Sequence, residues 1–90
     1  MMNPQNIKTA IEGKVLPEAL KTIEDLLAEN PEDANLLIAR GKILWSMGKR
    51  GEAMSDYAKA ERLDPEGPAR LLIEHSNSIM DFFNPDLLNP

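Results

Sequence analysis

Two prolines, Pro31 and Pro65, lie 34 residues apart, and similar residues precede each of them. Alanine stands twelve positions before each proline, at Ala19 and Ala53, and a large apolar residue stands eight positions before each. A period of this length is typical of a small helical unit that cannot bury its apolar face alone. The spacing therefore predicts a short stack of helix pairs.

Apolar residues recur at helical spacing in five segments, and proline, glycine and asparagine separate them. Asn3 is a good N-cap before Pro4, and the Asn-Pro and Asp-Pro steps at Pro31 and Pro65 stop the helices that precede them. The predicted helices extend from Pro4 to Gly13, from Pro17 to Asn30, from Asp33 to Met47, from Arg50 or Gly51 to Asp64, and from Pro68 to Phe83. The predicted loops have three to five residues, which favours antiparallel neighbours. No strand pattern appears.

Ninety residues are enough for one small domain, and a chain of this size buries only roughly 60% of its unfolded surface. We expect a single domain over 1–83, made of units 1–33 and 34–67 and a capping helix 68–83, followed by a tail at 84–90. The chain has no cysteine, which fits a reducing compartment, and we expect a cytoplasmic protein. No signal peptide and no membrane-spanning stretch are evident.

The formal net charge is −5, from ten basic and fifteen acidic residues. Nucleic-acid binding depends on lysine and arginine neutralising phosphates, so this balance argues against a nucleic-acid partner. No catalytic pattern appears, and we expect neither an enzyme nor a cofactor or metal site. His75 is the single histidine, and we interpret it as a polar residue of the last helix. The Gly48–Gly51 segment lacks the spacing of a phosphate-binding loop.

The segment from Ala34 to Gly67 resembles one complete repeat of the tetratricopeptide family. Large, small and helix-stopping residues stand at the family's positions: Leu37, Arg40, Gly41 and Leu44 in the first helix, and Ala53, Tyr57, Ala60 and Pro65 in the second. The resemblance implies an all-α fold, a short right-handed α-solenoid of five antiparallel helices with a C-terminal capping helix. Small residues at Gly41, Ala53 and Ala60 would let the helices approach closely.

The flanking units depart from the family pattern. Ile7 and His75 stand where the small glycine is expected, which suits a final helix that serves as a cap. Arg40 occupies a position that is usually leucine. It either extends its charged end to water or pairs with a carboxylate such as Asp56, and the sequence leaves both alternatives open.

The resemblance also implies a concave surface formed by the first helix of each unit, which binds an extended peptide or a partner's helix. The implied groove residues are Lys8, Ile11, Glu12, Asn35, Ile38, Ala39, Lys42, Trp45, Ser46, Ala69, Leu72, Ile73, Ser76, Ile79 and Met80. From these we predict a partner-binding site of Ile38, Lys42, Trp45, Leu72 and Ile79. Trp45 is the preferred anchor because interface hot spots favour tryptophan, but it could equally pack on the capping helix as core.

The last residues, Phe82 to Leu88, are unusually apolar for a chain end. One hypothesis is that this tail crosses the groove or docks on a second copy, and the alternative is a frayed end. The leading function is a protein-binding adaptor for a peptide or partner protein, with Lys42 and Arg40 attracting an acidic group. The alternative is a self-associating structural or accessory subunit that stabilises a larger complex, with a homodimer formed through the capping helix and tail. No nucleic-acid or membrane partner is expected.

Overall fold

A computed structural model gives the structure of the chain and describes the backbone of residues 1–82 and the side chains of residues 1–76. This part contains five α-helices: α1 Pro4–Ile11, α2 Leu16–Glu29, α3 Ala34–Ser46, α4 Arg50–Leu63 and α5 Ala69–Phe82. Consecutive helices pack as antiparallel pairs, and α3 also contacts α1. The predicted all-α helix-pair stack is therefore confirmed.

The helices begin and end close to the predicted signals. The Asn3 side chain caps α1 by accepting a hydrogen bond of 2.7 Å from the Gln5 amide. Gly13 and Gly48 adopt positive φ values of 78° and 82° in the turns after α1 and α3, a conformation that costs glycine little. α2 begins at Leu16, one residue before Pro17, because proline is tolerated within the first helical turn. Phe83 and the tail at 84–90 lie outside the described residues.

Asp33 links the start of the chain to the start of α3. Its Oδ1 atom accepts hydrogen bonds from the Asn35 and Leu36 amides at 3.0 and 3.2 Å, so it is the N-cap of α3. Its Oδ2 atom accepts a bond of 2.6 Å from the Met2 amide, and the Asn35 side chain donates to the Met2 carbonyl at 2.8 Å. These bonds hold the segment before α1 against α3.

The core consists of two packed clusters. The larger joins α1, α2 and α3 to the last turn of α4 and the start of α5, and its members are Ile7, Ala19, Ile23, Leu27, Ala34, Leu36, Leu37, Ile38, Ile43, Ala60 and Ala69. The smaller contains Leu44, Ala53 and Tyr57, with Trp45, Met54 and Ile73 packed around it. Leu20 and Leu72 contact both clusters, so the two form one continuous core.

The close approach of α3 and α4 depends on Gly41. A Cβ atom at Gly41 would lie 2.5 Å from Cε1 and 2.9 Å from Cδ1 of Tyr57. Ala53 and Ala60 on α4 are fully buried, and Tyr57 is 3% exposed. Gly41 therefore lets α3 approach the Tyr57 ring on α4, the close helix approach that the repeat pattern predicted at this position.

Candidate functional site: the groove between α1 and α3

An open groove with a volume of about 500 Å³ lies between α1 and α3, with Leu16 and Pro68 at its margins. Its lining residues are Pro4, Gln5, Ile7, Lys8, Ile11, Leu16, Asn35, Ile38, Ala39, Lys42, Ile43, Ser46 and Pro68. This volume lies within the usual range for binding sites, about 300–1,000 Å³. The groove follows α3 from its first turn to its last residue, which suits an extended occupant.

The floor of the groove is apolar. Ile7, Ile38 and Ile43 are buried in the larger core cluster, and each also lines the groove. Ile11 and Ala39 are half-buried and pack against the same cluster. A surface built on core residues is held in place before any ligand arrives, so a ligand that binds it loses less free energy to ordering the site.

The polar residues of the groove are uncharged except for two lysines, Lys8 on α1 and Lys42 on α3. Both lysines are exposed. Asn35 is already engaged by the Met2 carbonyl, while Gln5 and Ser46 are exposed. Among the described residues, no aspartate or glutamate lines the groove. The groove is therefore locally basic on a chain whose net charge is −5.

Arg40 does not contribute to this basic groove. Its Nε and Nη2 atoms donate to the two carboxylate oxygens of Asp56 at 2.8 and 2.7 Å, a two-pronged ion pair between α3 and α4. The hydrogen bond to Asp56, which outweighs the effect of burial, raises the pKa of the Arg40 guanidinium above its ordinary value. This contact decides between the two alternatives left open by the sequence. Arg40 is therefore not available to attract an acidic group of a partner together with Lys42, as we had expected.

The structure brings together some of the predicted partner-binding residues and separates others. Ile38 and Lys42 line the groove. Trp45 packs beside the smaller core cluster of Leu44, Ala53 and Tyr57, and Leu72 packs against both clusters; neither lines the groove. The side chain of Ile79 lies outside the described residues. The role of these five residues in binding stays a prediction.

Trp45 is half-buried where α3, α4 and α5 meet. The Arg50 guanidinium carbon lies 4.8 Å from the centroid of its ring, close enough for a cation–π interaction. Trp45 therefore has packing partners within the chain as well as an accessible face. This position lies next to the groove but outside its lining residues.

Sequence reasoning missed six lining residues of the groove: Pro4, Gln5, Ile7, Leu16, Ile43 and Pro68. Ile7 occupies the position at which α3 has Gly41, one period of 34 residues earlier, and was read only as a departure from the pattern. Gly41 faces Tyr57 on α4 and does not line the groove, so this comparison gives no signal that Ile7 lines it. Leu16 and Pro68 lie at the starts of α2 and α5, where no periodic signal predicts the direction of a side chain.

Two further observations concern chemistry and membranes. Within residues 1–76, no cluster of three or more histidine, cysteine, aspartate or glutamate side chains could hold a metal ion. His75 is exposed on α5. Across the described helices, none is long and apolar enough to cross a membrane.

Comparison with known proteins gives one partial similarity. The chain is 31% identical over 51 residues to a DnaJ homolog subfamily C member 7 homolog of Schizosaccharomyces pombe. The match covers 57% of this chain and 11% of that protein, so the chain spans about a tenth of the length of this relative. No protein-family model matches the chain, and no solved structure matches it.

Proposed function

We propose that this chain is a protein-interaction module of the tetratricopeptide type, which binds a peptide or partner protein through the groove between α1 and α3. The observation that carries the proposal is an apolar groove of about 500 Å³ built on core residues. The helix-pair architecture and the repeat pattern around Gly41 and Tyr57 support the same class. The partial similarity to the Schizosaccharomyces pombe protein agrees with a role in protein interaction.

Binding would follow from burial of apolar side chains of the partner against Ile11, Ile38 and Ala39. Each well-buried aliphatic side chain contributes roughly 1.5–3 kcal/mol before the costs of association are subtracted. A few such anchors in a site that is already formed are enough for specific binding. Trp45 and Leu72 would extend the contact surface toward α5, where Ile79 also remains a predicted contact.

The test is to fill the groove without disturbing the core. Ala39 is half-buried in the groove wall, so Ala39→Gln places a longer polar side chain where the ligand would lie. Ala28→Gln is the matched control, because Ala28 is exposed on α2 and does not line the groove. Capture from extracts of the native cell should recover a partner with the wild type and the Ala28 variant but not with the Ala39 variant. Trp45→Ala, tested in parallel, shows whether Trp45 adds to the same contact.

Thermal unfolding followed by circular dichroism must first show that both glutamine variants keep the helical fold. Equal recovery of the same partner by all variants would place the interaction on another surface. Loss with Trp45→Ala but not with Ala39→Gln would move the site to the junction of α3, α4 and α5.

A second candidate function is self-association as an accessory subunit, and one observation favours it. Leu71 on α5 is 70% exposed, and Leu63 at the end of α4 is 38% exposed. Leu71→Gln should lower the concentration-dependent mass measured by light scattering if α5 forms a contact between copies. A wild-type mass that stays monomeric over a wide concentration range would rule out this candidate.

A further inference from the structure

We infer that two copies of this chain associate through α5, with Leu71 at a two-fold axis and the two α5 helices antiparallel. The surface is the α5 patch, formed by Arg70, Leu71, Glu74 and His75. This inference rests on the second candidate function, self-association, and names the surface and the arrangement of the copies. No residue of the α5 patch lines the groove, so the inference does not depend on a peptide ligand.

The α5 patch corresponds to the side of α3 that packs on α4. One period of 34 residues before Leu71 and His75 stand Leu37 and Gly41. Gly41 lies against the Tyr57 ring of α4, and Leu37, one turn earlier on the same side of α3, is 1% exposed. Leu71 and His75 are exposed instead. The side of the helix that is covered in the complete unit is therefore open to solvent on α5.

Leu71 is the apolar centre of the α5 patch. Among the described residues, only Met1 is a more exposed large apolar side chain. A single exposed leucine is ordinary on a protein surface, so its exposure alone does not indicate a partner. The charges beside Leu71 indicate what the partner is.

Arg70 and Glu74 make the α5 patch complementary to itself. They are four residues apart, so they lie on the same side of Leu71, and they form an ion pair of 3.4 Å within one copy. A two-fold axis repeats every contact, with residue i of one copy against residue j of the other and the reverse. When the helices are antiparallel and centred on Leu71, Arg70 of each copy lies beside Glu74 of the other. Parallel helices would instead bring like charges together, which repel each other.

Exchange of this ion pair between copies costs little. The side chains of Arg70 and Glu74 are both largely exposed, and an exposed pair within one helix contributes little to stability. The dimer replaces two such pairs by two pairs between copies and removes two leucine side chains from water. The charges therefore set the direction of the helices, and Leu71 provides the apolar contact.

The experiment reverses one charge at a time in the full chain. Arg70→Glu leaves two acidic residues in the α5 patch and Glu74→Arg leaves two basic residues, so copies of either variant should repel each other. Sedimentation equilibrium at low salt gives the mass of the wild type, of each variant alone and of an equimolar mixture of the two. Lys21→Glu and Asp25→Lys are the matched controls, because Lys21 and Asp25 form an exposed ion pair of the same spacing and order on α2.

The wild type should associate reversibly, and the mixture should form a heterodimer because an acidic patch meets a basic one. Each charge reversal alone should weaken self-association roughly four- to twentyfold, because two exposed charge pairs are lost at once. Added salt should weaken both the wild-type dimer and the heterodimer. The two α2 variants, alone or mixed, should match the wild type.

A cysteine at the two-fold axis tests the arrangement of the helices. The chain has no cysteine, so Leu71→Cys introduces a single thiol. Axes of packed helices are about 8–10 Å apart, which brings facing Cα atoms into the range of about 4.4–6.8 Å that a disulfide requires. Mild oxidation should therefore link Leu71→Cys copies in pairs. Ala28→Cys, whose thiol would be exposed on α2, should link much less.

A mixture that is no heavier than its two components, from a wild type that self-associates, would overturn the α5 arrangement and leave self-association standing. Equal linking of Leu71→Cys and Ala28→Cys would overturn it in the same way. A wild type that stays monomeric over a wide concentration range would contradict both this inference and the second candidate function, and Ala39→Gln would still judge the groove. Self-association that appears only after removal of 84–90 would identify the chain's own tail as the occupant of the α5 patch and overturn the assignment to a second copy.

Discussion

Gly41 lies at the contact between α3 and α4, where the Tyr57 ring occupies the space that a side chain at position 41 would need. A Cβ atom there would overlap the Tyr57 ring at 2.5 Å, and Tyr57 has little free space because it is 3% exposed. We predict that Gly41→Ala destabilises the fold, since overpacking typically costs about 1–3 kcal/mol. The gain in helix propensity, roughly 1 kcal/mol, offsets only part of this cost. Urea denaturation followed by circular dichroism measures the difference.

Gly51 provides the matched control for this prediction. It lies in the first turn of α4, and a Cβ atom there meets no other atom within 4 Å. Gly51→Ala should therefore leave the free energy of unfolding unchanged or raise it by up to about 1 kcal/mol. Equal effects of the two substitutions would show that α3 and α4 can separate to admit the methyl group.

Tyr57 should make the stability of the protein sensitive to alkaline pH. Burial of the ring, with a smaller contribution from the nearby Asp56 carboxylate, raises the pKa of the phenol above its ordinary value of 10.0. The native state therefore keeps its proton at pH values where the unfolded chain loses it. The stabilisation is complete below about pH 10 and is lost as the pH rises through the higher pKa of the folded state.

Tyr57 is the single tyrosine, so the absorbance of tyrosinate titrates this residue alone. Denaturant unfolding across the alkaline range should show a steeper loss of stability for the wild type than for Tyr57→Phe. The phenylalanine variant removes only the phenolic hydroxyl, so every other effect of alkaline pH acts on both proteins alike. Parallel losses in the two proteins would contradict a raised pKa for Tyr57.

At the scale of the helices, Asp33 has two roles, as the N-cap of α3 and as the anchor of the segment before α1. We predict that Asp33→Ala lowers the free energy of unfolding by about 1–2 kcal/mol, because the cap is lost. The freed Met2 amide adds a further loss near 1 kcal/mol if water does not replace the bond. Hydrogen exchange should speed up for the amides of Asn35 and Leu36, which donate to the Asp33 carboxylate.

Asp33→Asn separates the two roles of this residue. Asparagine is an equally good N-cap, so α3 should still begin at the same residue. The protein should keep most of its free energy of unfolding. Asn3→Ala is a second control, since it removes an exposed cap from α1 without touching the link to α3. If Asn3→Ala were as costly as Asp33→Ala, the link through Met2 would contribute nothing to stability.

The number and type of the helices could be predicted because their signals are local. Helical spacing of apolar residues and the stops before Pro31 and Pro65 depend only on neighbours in the chain. The link between Asp33 and Met2 joins residues 31 positions apart, and no local signal indicates it.

At the scale of the whole molecule, the candidate site was predicted in part. The resemblance to the tetratricopeptide family implied that Ile38 and Lys42 lie on the inner side of α3, and both residues line the groove. The period could not say how far α5 covers Trp45, because that depends on how the last helix is tilted against α3 and α4. The partner of Arg40 was equally open, since the sequence does not show which carboxylate of a neighbouring helix faces it. Its pairing with Asp56 leaves Lys8 and Lys42 as the charges of the groove.

The continuity of the core predicts that the described helices unfold together. Leu20 and Leu72 pack against both core clusters, and α3 contributes buried residues to each. Ile7 is 4% exposed at the α1 edge of the larger cluster, far along the stack from Trp45. We predict that Ile7→Ala lowers the free energy of unfolding by about 2–3 kcal/mol, at the lower end of the range for such substitutions. The loss should be the same whether it is measured by circular dichroism or by Trp45 fluorescence.

The two probes separate cooperative from sequential unfolding. Circular dichroism reports all the helices, whereas the single tryptophan reports the junction of α3, α4 and α5. Thr9→Ala is the control on α1, because Thr9 is exposed and bonds only to the Gln5 carbonyl of its own helix. Coincident transitions for the wild type and for Ile7→Ala indicate that the helices unfold as one cooperative unit.

A fluorescence transition that stays at the wild-type midpoint while the circular dichroism transition moves to lower denaturant would show that α1 detaches first. In that case the groove would open by loss of its α1 wall, and a bound peptide should restore coincidence of the two transitions by stabilising that wall.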